Sequence, residues 1–141
     1  MMKIRSYFAI FVSLFILSGC ASTAGKAFQA DESQVKLRSI QTRAFDTTDK
    51  KKMMQTVIST MQDLDFVIDK ADFMLGSVTG SKFLGYTTVV MTVTVRPRGE
   101  KQLLVRANAQ YGIKSVEDPE TYQDFFVSLE KALFLTAQQV D

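Results

Sequence analysis

The chain of 141 residues carries 17 basic and 15 acidic side chains, one cysteine, and neither histidine nor tryptophan. Without histidine, Ser-His-Asp and Cys-His catalytic sets are excluded, and zinc, copper and non-haem iron sites, which rely on His and Cys, lack their ligands. A formal net charge of +2 leaves no basic footprint for nucleic acid, and the length fits one small domain with one core.

At the amino terminus Lys3 and Arg5 precede an apolar run from Tyr7 to Leu17, closed by Ser18-Gly19-Cys20. Basic start, apolar run and small-residue boundary form the layout of a secretory signal peptide. The run falls short of the about 20 apolar residues that cross a bilayer. Its ending, Leu17-Ser18-Gly19-Cys20, resembles the lipobox of bacterial lipoproteins. That resemblance implies removal of residues 1–19, a diacylglyceryl group on the Cys20 thiol and an acylated new amino terminus. Ala21, rather than Asp, after the cysteine implies by the same resemblance sorting to the outer membrane of a Gram-negative cell, on its periplasmic face. Cleavage would remove two bases and no acid, leaving 15 of each and a formally neutral protein. Lipidation would consume the single cysteine, so no intrachain disulfide is expected despite an oxidising compartment.

Residues 20–34 are mostly small and polar, without an apolar period, and read as a lipidated cysteine with a flexible tether. A single α+β domain is expected over 35–141. Val35 to Phe45 reads as a first strand; Val35 and Leu37 share one parity and Ile40 the other, which predicts a bulge or a strand buried on both faces. Asp46-Thr47-Thr48-Asp49 offers N-caps for a helix. Met53, Met54, Val57, Ile58, Met61 and Leu64 then form one apolar stripe at helical spacing.

Phe66 to Ile68 and Gly76 to Thr79 read as short strands around a turn near Ala71 and Asp72. Tyr86 to Pro97 is the cleanest strand: Thr87, Val89, Met91, Val93 and Val95 share one face, and Tyr86, Thr88, Thr92, Thr94 and Arg96 the other. After a turn at Arg98-Gly99-Glu100, the residues Leu103, Val105, Ala107, Ala109 and Tyr111 alternate with polar neighbours, predicting a hairpin with one buried and one wet face. Asp118-Pro119-Glu120 starts a last helix by its N-cap, first-turn proline and acid. The predicted order is β-α-β-β-β-β-α, an antiparallel sheet with two helices packed on one face.

Two stretches carry a further resemblance. Leu37 to Asp49 (Leu-Arg-Ser-Ile-Gln-Thr-Arg-Ala-Phe-Asp-Thr-Thr-Asp), continuing through Met61 to Asp69 and Leu75-Gly76, and Asp118 to Phe126 (Asp-Pro-Glu-Thr-Tyr-Gln-Asp-Phe-Phe), followed by Lys131 to Leu135, resemble a family of small Gram-negative envelope lipoproteins. The family pattern usually has Gly where this chain has Asp65. The resemblance implies an envelope lipoprotein linked to export or efflux machinery, with no enzymatic activity and no catalytic residues. The element order is also loosely similar to the helix-grip modules of outer-membrane assembly lipoproteins, and fold alone does not fix function.

Among the remaining candidates, Asp63, Asp65, Asp69 and Asp72 lie within ten residues. Apolar residues interrupt them and no glycine sits among them, unlike a calcium loop, and no aromatic sugar platform accompanies them as a glycosidase pair would want. Lys50-Lys51-Lys52 opens a helix where the macrodipole disfavours cations, so Asp46, Asp49 or an anionic headgroup is expected to compensate. Arg38, Arg43, Arg96, Arg98 and Arg106 come from strands expected to be neighbours, and on an outer sheet face they could pair with an acidic partner. The last helix is dense in aromatic residues, and Phe134, off the Phe126-Leu129-Leu133 stripe, is the expected exposed anchor for a partner. These features predict a non-enzymatic accessory or scaffold protein that meets the membrane through its lipid and an envelope protein through Phe134, Arg96, Arg98 and Arg106, with no cofactor, no metal and no nucleic acid. The alternative is a module holding a small apolar ligand or lipid, suggested by seven methionines and eleven phenylalanines.

Overall fold

The computed structural model describes residues 33–138. Cys20, the signal peptide and the tether through residue 32 lie outside the described residues. Residues 33–40 are helical (α1), followed by β1 (Thr42–Phe45), α2 (Lys50–Asp63), β2 (Val67–Asp72), β3 (Ser77–Leu84), β4 (Thr87–Arg98), β5 (Gln102–Tyr111), β6 (Lys114–Ser115) and α3 (Pro119–Gln138). The strands form one sheet in the order β1-β5-β4-β3-β2, with β6 also paired to β5, and every pairing is antiparallel. The expected α+β order therefore holds, with α1 and β6 added to it.

The first expected strand is corrected. Residues 33–40 are helical, and only Thr42–Phe45 is strand. Leu37 and Ile40 stand three apart, which is a helical spacing, and both pack against the core. The Gln41 amide closes the segment by donating to the Leu37 carbonyl at 3.2 Å. The broken strand parity of Leu37 and Ile40 is the spacing of neighbouring turns on a short helix.

Asp49 caps α2: its carboxylate accepts from the Lys52 amide at 2.9 Å. The stripe predicted for this helix is buried at Met53, Met54, Val57 and Met61, with Ile58 and Leu64 half-buried. At the other end the Phe66 amide donates to the Met61 carbonyl at 2.9 Å and the Asp65 amide to the Gln62 carbonyl at 3.0 Å. That pair of bonds is a Schellman closure, which requires a left-handed residue at its pivot. Asp65 supplies it, with φ of 66°.

The turn expected near Ala71 and Asp72 lies farther on, at residues 73–76. The Asp72 carboxylate accepts from the Leu75 amide at 2.8 Å, and Gly76 turns the chain with φ of 70°. A Cβ on Gly76 would stand 2.4 Å from the Val95 carbonyl oxygen, so the turn packs directly on β4. Strand β3 then runs on to Leu84, past the expected Thr79. Tyr86, expected in a strand, instead occupies the two-residue turn Gly85-Tyr86 between Leu84 and Thr87.

One sheet face carries Val78, Val89, Met91, Val93, Val95, Leu103, Val105, Ala107 and Ala109, all buried. Helices α2 and α3 complete the core on that face with Met53, Met54, Val57, Met61, Tyr122, Phe125, Phe126 and Leu129. Phe125 and Phe126 are both buried and meet edge to face, their centroids 5.2 Å apart, an arrangement favoured by the ring quadrupoles. Asp118 starts α3 as expected, accepting from the Glu120 amide at 3.2 Å.

The outer edge of β5 is shared by β1 and β6 with a gap between them, and the Gln41 backbone carbonyl and the Tyr122 side chain close it. The Gln41 carbonyl accepts from the Ala107 amide at 2.9 Å. The fully buried Tyr122 hydroxyl accepts from the Ala109 amide at 3.3 Å and from Gln41 Nε2 at 3.0 Å, and donates to the Val116 carbonyl at 2.6 Å. A hydroxyl has one donor and two acceptor sites, so this one is fully used.

Two stability predictions follow from these closures. Asp65→Gly should raise unfolding free energy by about 0.5–1 kcal/mol and Asp65→Val should lower it by about 1 kcal/mol, because only glycine occupies the left-handed region freely; urea midpoints at constant slope measure both. Tyr122→Phe should cost about 2–4 kcal/mol by leaving buried polar groups unpaired, seen as a melting temperature lower by about 10 °C or more.

Candidate functional site

Among the described residues, the second sheet face carries none of the buried apolar core and is mostly polar. Ser77, Thr79 and Ser81 of β3 stand opposite Thr94, Thr92 and Val90 of β4, and Thr94 and Thr92 stand opposite Arg106 and Asn108 of β5. Thr79 and Thr92 share a hydroxyl hydrogen bond at 3.2 Å. Strands β3, β4 and β5 contain no Asp or Glu. Arg96, Arg98 and Arg106 fall on this face by alternation, Arg96 opposite Leu104, Arg98 opposite Gln102, and Arg106 opposite both Thr94 and Thr42.

Arg96 and Arg106 are diagonal neighbours and line a groove of about 420 Å³ together with Thr92, Thr94, Leu104 and Asn108. Arg98 lies one step nearer the Gly99 turn, where its opposite number Gln102 donates to Asp46 at 2.6 Å. Two guanidiniums with hydroxyl and amide neighbours present planar, bidentate donors suited to a carboxylate or phosphate.

Of the five arginines expected together, only these three are. The register Thr42 to Arg106 turns Arg43 to the helix side, where its guanidinium bonds Glu130 at 2.7 Å and lies 4.9 Å over the Phe126 ring. Arg43 thereby ties β1 to α3 and is a structural contact. Arg38 sits on α1, outside the sheet.

On α3, Val127, Phe134 and Leu135 are exposed, Phe134 at 64%, while Tyr122, Phe125, Phe126 and Leu129 fill the core. Phe134 therefore stands off the buried stripe, as its position in the sequence requires.

The four carboxylates do not converge. Asp63, Asp65 and Asp69 are exposed; Asp69 accepts from the Ser81 hydroxyl at 2.5 Å and Asp72 caps its own turn. Among the described residues no group of three metal-ligating side chains forms, and no helix is long and apolar enough to cross a membrane. Lys50, at the start of α2, reaches away from the helix terminus and donates to the Met74 carbonyl at 3.0 Å.

A pocket of about 190 Å³ opens between the sheet and the facing ends of α2 and α3, lined by Leu64, Phe66, Leu84, Met91, Tyr111 and Val116 with Lys82 and Asp124 at polar positions. Lys82 donates to the Leu64 carbonyl at 2.9 Å and lies 5.9 Å from the Phe66 ring centre. Sequence reasoning did not find this pocket, because its walls come from segments far apart in the chain. It also missed the apolar turns at its mouth, although the pairs Gly85-Tyr86 and Gly112-Ile113 carried a signal in the glycine that precedes each bulky residue.

In comparison with known proteins, the chain matches no protein-family model and no curated protein.

Phe134→Ser should change stability by less than about 1 kcal/mol, the usual range for an exposed position. Thermal melts check it, and a loss of several kcal/mol, as for a buried phenylalanine, would place Phe134 in the core.

Proposed function

We propose that this protein is a non-enzymatic lipoprotein, held by lipid on Cys20 at the periplasmic face of the outer membrane, that serves as an accessory or scaffold in an envelope complex of the export or efflux type. The observation that carries the reading is Leu17-Ser18-Gly19-Cys20 behind a basic and apolar start. A short apolar run closed by small residues and a lone cysteine suits cleavage and acylation. One acyl chain binds a bilayer only marginally, whereas several anchor it stably.

The surface supports a binding role. Strands β3, β4 and β5, which contain no Asp or Glu, present Arg96, Arg98 and Arg106 on one face and favour an acidic partner segment, since arginine forks bind carboxylates bidentately. Exposed Phe134 offers a separate apolar contact for the same envelope partner. No chemistry is assigned to the protein, whose sequence lacks histidine and holds a single cysteine that lipidation occupies.

A second reading, a module for a small apolar ligand or lipid, is favoured by one feature, the pocket lined by Leu64, Phe66, Met91 and Val116. Its volume is of the order of that of an apolar cavity known to take a single benzene ring, about 150 Å³. Native mass spectrometry of the protein with extracted envelope lipids distinguishes the two: a bound lipid mass supports the module, and an unliganded mass supports the scaffold.

Cys20→Ala should abolish outer-membrane fractionation, leaving the protein soluble or as an uncleaved precursor at the inner membrane. Sucrose-gradient separation of the two membranes measures this, and a Cys20→Ala protein that still fractionates with the outer membrane would falsify the anchor.

A further inference from the structure

Two hairpins end side by side at one end of the sheet. Leu84 pairs with Thr87 across Gly85-Tyr86, and Tyr111 pairs with Lys114 across Gly112-Ile113. Both turns are built alike, with glycine first at positive φ, 61° and 56°, and a bulky apolar residue second. A two-residue turn with glycine first leaves its second position sterically undemanding, and polar residues fill such turns readily. Tyr86 and Ile113 are nevertheless fully exposed there, Ile113 at 99%. Phe83 at 71%, Leu84 and Tyr111 extend the exposed apolar surface from the turns to the mouth of the pocket. Folding does not require these side chains at the apices, and water disfavours them.

We propose that this end of the sheet is a membrane-contacting tip, in which Tyr86, Ile113, Phe83, Leu84 and Tyr111 enter the interfacial layer of an anionic bilayer. The proposal rests on the reading of the protein as lipid-anchored. Two observations select a bilayer over another occupant. The apolar residues sit on projecting turns, the shape that penetrates a lipid surface, and two of them are tyrosines, whose apolar ring and polar tip suit the headgroup level. Charge adds to this at the turns themselves: from Gly76 to Arg98 and from Gln102 to Val116 the chain has no acidic residue, and Lys114, exposed beside Ile113, is a basic residue of the kind that adds to binding near an anionic leaflet. Lys82 is held by the Leu64 carbonyl and by Asp65 at 3.6 Å, and Asp69 of β2, on the Ser81 hydroxyl, and Glu117, next after Val116, bound the acid-free stretch.

The chain has no tryptophan, so single substitutions report their own surroundings. The lipidated full-length protein carrying Tyr86→Trp or Ile113→Trp is reconstituted into vesicles of phosphatidylethanolamine and phosphatidylglycerol with brominated acyl chains. Met74→Trp serves as the reference, since the exposed turn around Met74 lies at the opposite end of the sheet. Emission of the Tyr86→Trp and Ile113→Trp proteins should shift to the blue and be lost to bromine quenching, while that of Met74→Trp stays water-like and bright. Unquenched, water-like emission from both tip variants overturns the proposal, as does quenching of Met74→Trp in their place. A tip that serves a protein partner gives the first of these results. The mass of the amino-terminal peptide reports acylation separately: an acylated, unquenched protein removes the tip and keeps the anchor, and an unacylated protein quenched at Tyr86→Trp keeps the tip and removes the anchor.

Discussion

The outer edge of β5 sets a demand that much of the rest of this fold answers. A strand edge facing the protein interior must have its amides and carbonyls paired, because an unpaired buried backbone group costs about as much as a lost hydrogen bond. Strand β1 covers that edge from Leu103 to Arg106 and β6 covers Gln110 and Tyr111. Between them, Ala107 turns to the Gln41 carbonyl and Ala109 to the Tyr122 hydroxyl, while the Val116 amide returns to the Ala109 carbonyl at 2.9 Å. One phenol thus joins the α1–β1 junction, the middle of β5, the segment after β6 and the first turn of α3. Asp118 and Pro119 fix where that helix starts and thereby where Tyr122 points.

The same arrangement explains why the two sheet faces differ so sharply. Alternation along β4 and β5 sends Val89, Met91, Val93, Val95, Leu103 and Val105 to one side, and two helices are enough to cover it. Approach of α2 is close because β3 offers Gly80, where a Cβ would stand 2.9 Å from the Val67 carbonyl and 3.0 Å from the Met61 methyl. The opposite face is left mostly with threonine, serine, asparagine and arginine, beside Val90 and Leu104, and antiparallel sheets tolerate such a face toward water. Arg43 shows how finely the division depends on register: one residue separates a core-side cation over Phe126 from a place beside Arg106 on the open face.

Legibility followed the length of the periodic signal. Strands β4 and β5 alternate over 12 and 10 residues, and α2 and α3 repeat apolar residues over several turns, so their faces and core residues could be read directly. The segment from Val35 to Gln41 offered one apolar pair at helical spacing and was open to a strand reading; tertiary burial of Leu37 and Ile40, with the Gln41 contacts, decided it. The β2–β3 turn was misplaced because Ala71 and Asp72 look like turn residues, whereas the turn is fixed by an Asp72 cap and by a glycine packed on Val95. At Asp65 no glycine marked the turn, yet the residue takes the left-handed φ that glycine adopts most freely. Arg96, Arg98 and Arg106 could be grouped by parity alone, while the pocket, drawn from both helices and three strands, could not.

The distribution of apolar surface left over by the core bears on what the protein does. A domain of this size leaves many apolar atoms exposed, and isolated exposed residues carry little meaning. Here the large ones are not scattered evenly: they gather on α3 beyond Leu133, on the turn at Phe73 to Leu75, and on the two glycine-led turns. Helix α3 is constrained by its own period, so residues next to a buried stripe are drawn outward by packing alone. The turn at Phe73 to Leu75 is held down by Lys50 and Asp72 and takes part in the fold. Gly85 and Gly112 have nothing within 4 Å of where a Cβ would lie, so the glycine-led turns stand free of packing at those positions. Hydrophobic burial is worth about 25 cal/mol per Å² wherever the surface leaves water, and side chains at a free apex can realise it only against another body. The polar face with its arginines and the apolar turns lie on different parts of one sheet, so the two proposed contacts would not compete for the same surface.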